Sequence, residues 1–167
     1  MQMRRIVTGH TPEGKSTFMS DTILEGEARR IWGADEAPCF PSDGSEPQPS
    51  HFFPPIGGFR FVYVTLPSAS KFDSSNETNE TVFNAEEDGF LGIRDHMEPD
   101  NPGMHTSDTI DFVYVISGEV WLELDDSEEV LIKAGDTVIE NGTRHRWNNR
   151  SSEPCVILGC MIGAKRA

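Results

Sequence analysis

No stretch of this 167-residue sequence approaches the ~20 apolar residues that a membrane-spanning helix needs. The N-terminus, Met1-Gln2-Met3-Arg4-Arg5-Ile6-Val7, has basic residues but lacks the apolar core of a signal peptide. The expectation is a soluble protein of the cytoplasm. Basic residues are scarce: 14 Lys and Arg stand against 28 Asp and Glu, a formal net charge of -14. That balance argues against nucleic acid or an anionic membrane as a partner. Three cysteines, Cys39, Cys155 and Cys160, show neither CxxC nor zinc-type spacing. The last two lie five apart on one apolar segment, hence on opposite faces of a strand, and read as buried thiols. Internal repeats, heptads and phosphate-binding loops are also missing.

What the sequence does contain is short alternating runs separated by turn residues. Between Gly103 and Asn149 four such runs follow one another, with the acidic turn Asp125-Asp126-Ser127-Glu128 in the middle. Turn signals every 8–12 positions predict an all-β fold, a small antiparallel barrel or jelly roll. Residues 3 to 8 and 16 to 24 read as two strands around the Pro/Gly turn Thr11-Pro12-Glu13-Gly14-Lys15. Residues 25 to 37 fit either a short helix or an extended stretch. Pro38 to Pro55 is loop, and Phe59 to Leu66 is the strongest strand before the central block. Residues 68 to 102 form a long polar segment, expected to act as a lid-like loop over the barrel mouth. Pro154 to Ile162 closes the barrel. The whole is one domain, with residues 1–56 packing on the barrel or a partner and 57–167 forming the barrel.

Strand parity carries the chemistry. Residues two apart on a strand share a face. Taken as one continuous strand, Met104 to Ser117 aligns His105, Ser107, Thr109, Asp111, Val113 and Val115. An ionisable His and Asp beside two valines must be paired or bound to a metal. In the second block His145, Trp147 and Asn149 share a face. Two histidines and a carboxylate converging in a barrel supply the donor set suited to Fe(II) and related divalent ions. The alternative is a set of hydrogen-bonded interior polar groups without a metal.

These two blocks resemble the two motifs of the cupin superfamily. The first motif runs glycine, five residues, His-x-His, three or four residues, Glu, six residues, Gly. His105 matches its first His, Ser107 stands at the second, Asp111 takes the place of the glutamate and Gly118 closes it. The second motif runs glycine, five residues, Pro-x-Gly, two residues, His, three residues, Asn. Gly135, His145 and Asn149 match it, with Asn141-Gly142-Thr143 one residue short of the Pro-x-Gly turn. The resemblance implies a cupin barrel, one divalent metal (Fe, Mn, Ni or Zn) on His105, Asp111 and His145, and a homodimer built through the N-terminal strands.

It further implies a metal-dependent lyase, dehydratase, decarboxylase or isomerase acting on an organic acid or polyketide-like small-molecule substrate in specialised metabolism. An Fe(II) dioxygenase on the same ligands and a non-catalytic small-molecule carrier are the alternatives. Glu140, Tyr63 and Tyr114 are candidates for moving a proton. Arg60 is a candidate cation for a substrate carboxylate, or else a salt-bridged strand-end arginine. Trp147 and Asn149 are candidates for the wall of the binding cavity.

Overall fold

The computed structural model describes residues 2–69 and 91–167. The lid expected over 68–102 therefore lies mostly outside the described residues. Runs rich in Val, Ile, Phe and Tyr cannot bury an apolar face as isolated strands, and pairing into sheets resolves this. In chain order the strands are β1 (Gln2–His10), β2 (Ser16–Glu25), β3 (Ala28–Ala34), β4 (Phe59–Leu66), β5 (Thr109–Ser117), β6 (Glu119–Glu123), β7 (Glu129–Lys133), β8 (Thr137–Asn141), β9 (Arg146–Asn148) and β10 (Cys155–Gly163). Five form one antiparallel sheet in the order β3-β4-β10-β5-β8. A second sheet has the order β7-β6-β9. Among the described residues no helix is long and apolar enough to cross a membrane.

The open choice at 25–37 resolves as extended. β3 pairs along β4, with Arg29 opposite Tyr63 and Trp32 opposite Phe61, and this pairing buries Ala28 and Ile31. Tertiary pairing overrides the weak local preference. β4 lies centrally between β3 and β10, as its apolar character on both faces predicts. The β1–β2 hairpin makes a sheet of its own and is tied down at few points. Arg5 donates to the Ile31 carbonyl at 3.2 Å and to Glu46 at 2.7 Å, and the His10 amide donates to Ser42 at 2.7 Å.

The single strand expected from Met104 to Ser117 breaks in two. Regular pairing begins at Thr109, while His105 sits in isolated bridges to Met97 and His145. The break has a local cause: the Asp108 carbonyl accepts from the Ala164 amide at 2.8 Å, and the Ser107 carbonyl from Arg166 at 2.9 Å. Both carbonyls are drawn to the C-terminal tail and away from a sheet ladder.

The predicted alternation on β5 holds. Thr109, Asp111, Val113 and Val115 are buried, whereas Phe112, Tyr114 and Ile116 are exposed on the other side. Val113 and Val115 meet Val120, Leu122, Ile132, Cys155 and Ile157 between the two sheets. A second apolar cluster joins Ala28, Phe52, Val62 and Met161. Gly118 turns β5 into β6 at φ 78°, where a Cβ would fall 2.5 Å from the Pro154 carbonyl oxygen. Only glycine fits there.

Candidate functional site

The inner face of β5 changes character along its length. Beyond the valines it becomes polar: Asp111, Thr109 and, just before the strand, Ser107 are all buried. Glu140 lies directly across from Asp111 on β8, and Met161 flanks Asp111 on β10. The Ser107 and Thr109 hydroxyls bond each other at 2.7 Å. Into this polar end project two imidazoles. His105 and His145 exchange both backbone hydrogen bonds, each 3.0 Å long, so their side chains emerge together. The ring centroids are 4.2 Å apart.

Both imidazoles are oriented in the same manner. Nδ1 of His105 meets the Gly103 carbonyl at 3.0 Å, and Nδ1 of His145 meets the Thr143 carbonyl at 2.9 Å. A carbonyl only accepts, so each Nδ1 carries the proton and each Nε2 carries a lone pair. Nε2 of His145 faces Oε1 of Glu140 at 3.1 Å, with both side chains at least 95% buried. Among the described residues that oxygen makes no hydrogen bond, and neither does Oδ1 of Asp111. Buried acceptors without a partner are costly, and they mark a place prepared for something positive.

Burial dominates the acid–base behaviour here. It pushes the Glu140 carboxyl up to about 8, with the nearby Asp111 charge adding to the shift. Asp111 rises to about 6 through burial, partly opposed by the Thr109 hydroxyl. His145 falls to about 4 through burial and the neighbouring His105. His105 is also lowered, again mainly by burial.

The other predicted residues separate sharply from this centre. Arg60 is fully buried and already satisfied: it donates to the carbonyls of His51 at 2.9 Å, Ala34 at 2.7 Å and Phe59 at 2.9 Å, and pairs with Asp35 at 2.5 Å. Four of its five N–H donors are taken by these partners and the side chain is fully buried, which favours a structural role over binding a substrate carboxylate. Tyr63 is fully buried, with its hydroxyl 3.4 Å from the Gly26 carbonyl, and it lies on the face of β4 opposite Val62, away from the interior. Tyr114 points outward and is 45% exposed. Both corrections follow from strand parity. Asn149 organises a turn, donating to Leu66 and Glu153 and accepting from the amide and hydroxyl of Ser151. Trp147 stands edge-on to His145 with centroids 6.2 Å apart, and packs on the core. Of the proposed ligands, His105 and His145 come together, while neither imidazole reaches ion-pair range of Asp111 among the described contacts; Glu140 takes that place. Among the described residues no three His, Cys, Asp or Glu side chains stand as a closed ligand set.

Sequence reasoning missed Phe53 and the two arginines that flank His145. A cavity of about 470 Å³ lies beside the centre, lined by Phe53, Pro54, Ile56, His51, His96 and Lys165 among others. The Phe53 ring stands between, 4.5 Å from His96 and 6.2 Å from His105. Arg144 clamps Glu98 at 2.5 and 2.7 Å and reaches Asp125 at 2.9 Å. Arg146 clamps Glu123 and reaches Asn101 at 3.1 Å. The alternation Arg-His-Arg in an acidic chain was the available signal, since it turns both arginines to the face opposite His145.

Parts of the chain are similar to known proteins. Residues 95–161 match the family described as the Cupin domain, Cupin_2. The Phomopsin biosynthesis cluster protein C' of Diaporthe leptostromiformis is 44% identical over 48 residues, which are 29% of this chain and 25% of that protein. The Oryzines biosynthesis cluster protein J of Aspergillus oryzae is 44% identical over 50 residues, 30% of this chain and 28% of the relative. The cupin-domain-containing oxidoreductase fogC of Aspergillus ruber is 22% identical over 150 residues, 87% of this chain and 63% of that protein. Each match thus covers less than two thirds of the relative. Among solved structures, a Cupin 2 conserved barrel domain protein from Salinispora arenicola CNS-205 superposes with a TM-score of 0.40 at 15% identity, over 64% of both chains. Both motif histidines and β5 to β9 lie inside the matched segment, so the likeness to the Cupin domain family falls on the part of the chain that carries the candidate site.

Proposed function

We propose that this protein is a cupin-type metal-dependent enzyme that acts on a small organic acid or polyketide-like molecule in specialised metabolism, as a lyase, dehydratase, decarboxylase or isomerase. One observation carries the reading: two imidazoles with free Nε2 atoms and two buried carboxyl groups with unpartnered oxygens converge inside an otherwise apolar barrel. Imidazole and carboxylate donors suit Fe, Mn, Ni or Zn. His105, His145 and one of the carboxylates of Asp111 and Glu140 would hold the ion. When bound, such an ion polarises a carbonyl or carboxylate as a Lewis acid.

The chain's own residues supply the rest. The backbone pairing of His105 with His145 and the two Nδ1 anchors preorganise the donors before any ligand arrives. The second carboxyl group, raised by burial toward neutral pH, is suited to exchanging a proton with a substrate carbon or hydroxyl. Phe53 stands between the half-buried His105 and the neighbouring cavity, whose lining mixes apolar with polar and charged side chains. The relatives named for phomopsin and oryzines biosynthesis clusters support a place in specialised metabolism.

A second reading, an Fe(II) dioxygenase on the same donors, is favoured by the relative named an oxidoreductase, whose match runs over most of this chain. Elemental analysis of the purified protein, beside a folded His105→Ala/His145→Ala variant, tests both. Near-stoichiometric metal lost in the variant is expected. An iron content with Fe(II)-dependent oxygen uptake selects the oxygenase. A parent that stays empty after incubation with Fe(II), Mn(II), Ni(II) and Zn(II) overturns the metal-dependent reading.

A further inference from the structure

We infer that Glu140 on β8, rather than Asp111 on β5, is the carboxylate that shares a cation with His145 and His105. This rests on the metal-dependent reading above, and it departs from the motif, which places the acidic ligand at position 111.

The geometry at Glu140 is that of two ligand atoms awaiting a common partner. Nε2 of His145 bears a lone pair, because Nδ1 is spent on the Thr143 carbonyl. Oε1 of Glu140 stands 3.1 Å away, makes no hydrogen bond among the described residues, and is shut off from water. Two such atoms this close need a positive centre between them, either the proton of the carboxyl group itself or a metal ion that displaces it. Donor atoms held at about 2.1 Å from a first-row ion, at tetrahedral or octahedral angles, are separated by roughly 3.0–3.4 Å. The observed spacing falls in that range. His105, locked to His145 by paired backbone bonds and anchored by the same carbonyl device, supplies the third donor from a ring centred 4.2 Å from that of His145.

Asp111 is placed differently. It faces the Thr109 hydroxyl, which is itself bonded to Ser107, and neither histidine is in ion-pair contact with it. Its side chain is one methylene shorter than that of Glu140, and it starts from the neighbouring strand at the paired position. Shortening the motif glutamate to aspartate withdraws the carboxylate from the imidazoles, and the longer side chain across the ladder fills the gap. The unpartnered Oδ1 of Asp111 then remains toward the centre for a ligand.

Titration of the full-length protein with Co(II), followed by visible absorption and by competition against a chelator, tests the assignment. The parent, Glu140→Gln, Glu140→Asp and Asp111→Asn are compared, with circular dichroism to confirm folding. Glu140→Gln is expected to lose more than about 100-fold in Co(II) affinity, a larger loss than that of an outer-shell partner, and to change the visible bands. Glu140→Asp should bind more weakly than the parent but more tightly than Glu140→Gln, and Asp111→Asn should keep the parental bands and affinity within a few-fold. Parental binding by Glu140→Gln, or an equal loss in Asp111→Asn, overturns the assignment while leaving the metal centre intact. A parent that binds no Co(II) overturns the metal reading and the assignment together.

Discussion

At the scale of single residues, the same side-chain type takes opposite roles according to what its polar atoms already touch. Arg60 and Asp35 form a half-buried pair whose guanidinium also satisfies three backbone carbonyls. Removing one partner of such a pair strands the other, so Arg60→Ala is expected to destabilise the fold by about 3 kcal/mol, read as a lowered denaturation midpoint, with metal content per folded molecule unchanged. Glu140 presents the reverse case, a carboxyl group with too few partners. Burial raises it to about 8, above the ordinary carboxyl value of 4.5, so folding without metal favours its protonated form. That contribution is fully present below pH 4.5 and is lost as pH rises through 8. His145, lowered to about 4 from 6.5, contributes stability above pH 6.5 that is lost as pH falls toward 4. Between pH 6.5 and 8 the Glu140 slope therefore acts without opposition from His145. Chelator-treated protein should lose up to about 1.4 kcal/mol per pH unit there, measured as a falling Tm, and Glu140→Gln should flatten the slope.

The short strand β9 organises the centre at the scale of elements. Its approach places Arg144, His145 and Arg146 in alternation, so one face delivers an imidazole and the other two guanidinium clamps. Arg144 holds Glu98, and Arg146 reaches Asn101 and the Pro102 carbonyl, which fastens the segment leading into His105. The clamps are partly exposed, so each alone contributes only about 0–1 kcal/mol to global stability. Their effect should appear locally. Arg144→Gln is expected to speed hydrogen exchange over residues 97–105 and to weaken metal binding by about 10-fold, with Tm nearly unchanged. A large drop in Tm with unaltered exchange in that segment would contradict this role.

At the scale of the whole molecule, two apolar surfaces stand exposed among the described residues. The outer face of the five-stranded sheet exposes Phe112, Tyr114, Ile116, Ile139 and Ile162, with Phe112 directly opposite Ile139 and Cys160. The β1–β2 hairpin exposes Ile6, Phe18, Met19 and Ile23, and Phe18 is 76% exposed. We propose that a second copy of the chain covers them, the homodimer that the resemblance implies. Contiguous exposed apolar area of this kind marks an association site. Light scattering should give twice the chain mass for the parent and the monomer mass for Phe112→Asp/Ile139→Asp; a monomeric parent would refute the dimer.

By itself the sequence determined the all-β class, most strand positions and the burial parity of β5, because a period of two and turn residues are local properties. His105 and His145 were legible too, since their motifs carry fixed spacings. The tertiary structure alone decided the remainder. Whether residues 25 to 37 became a strand depended on β4, 30 residues away. Which carboxylate meets His145 depended on the pairing of β5 with β8, a register that side-chain length converts into contact or separation. Arg60, Tyr63, Tyr114 and Asn149 were chemically suitable everywhere except in their surroundings. A polar atom's function is set by the partners left over after folding, and those partners come from distant strands.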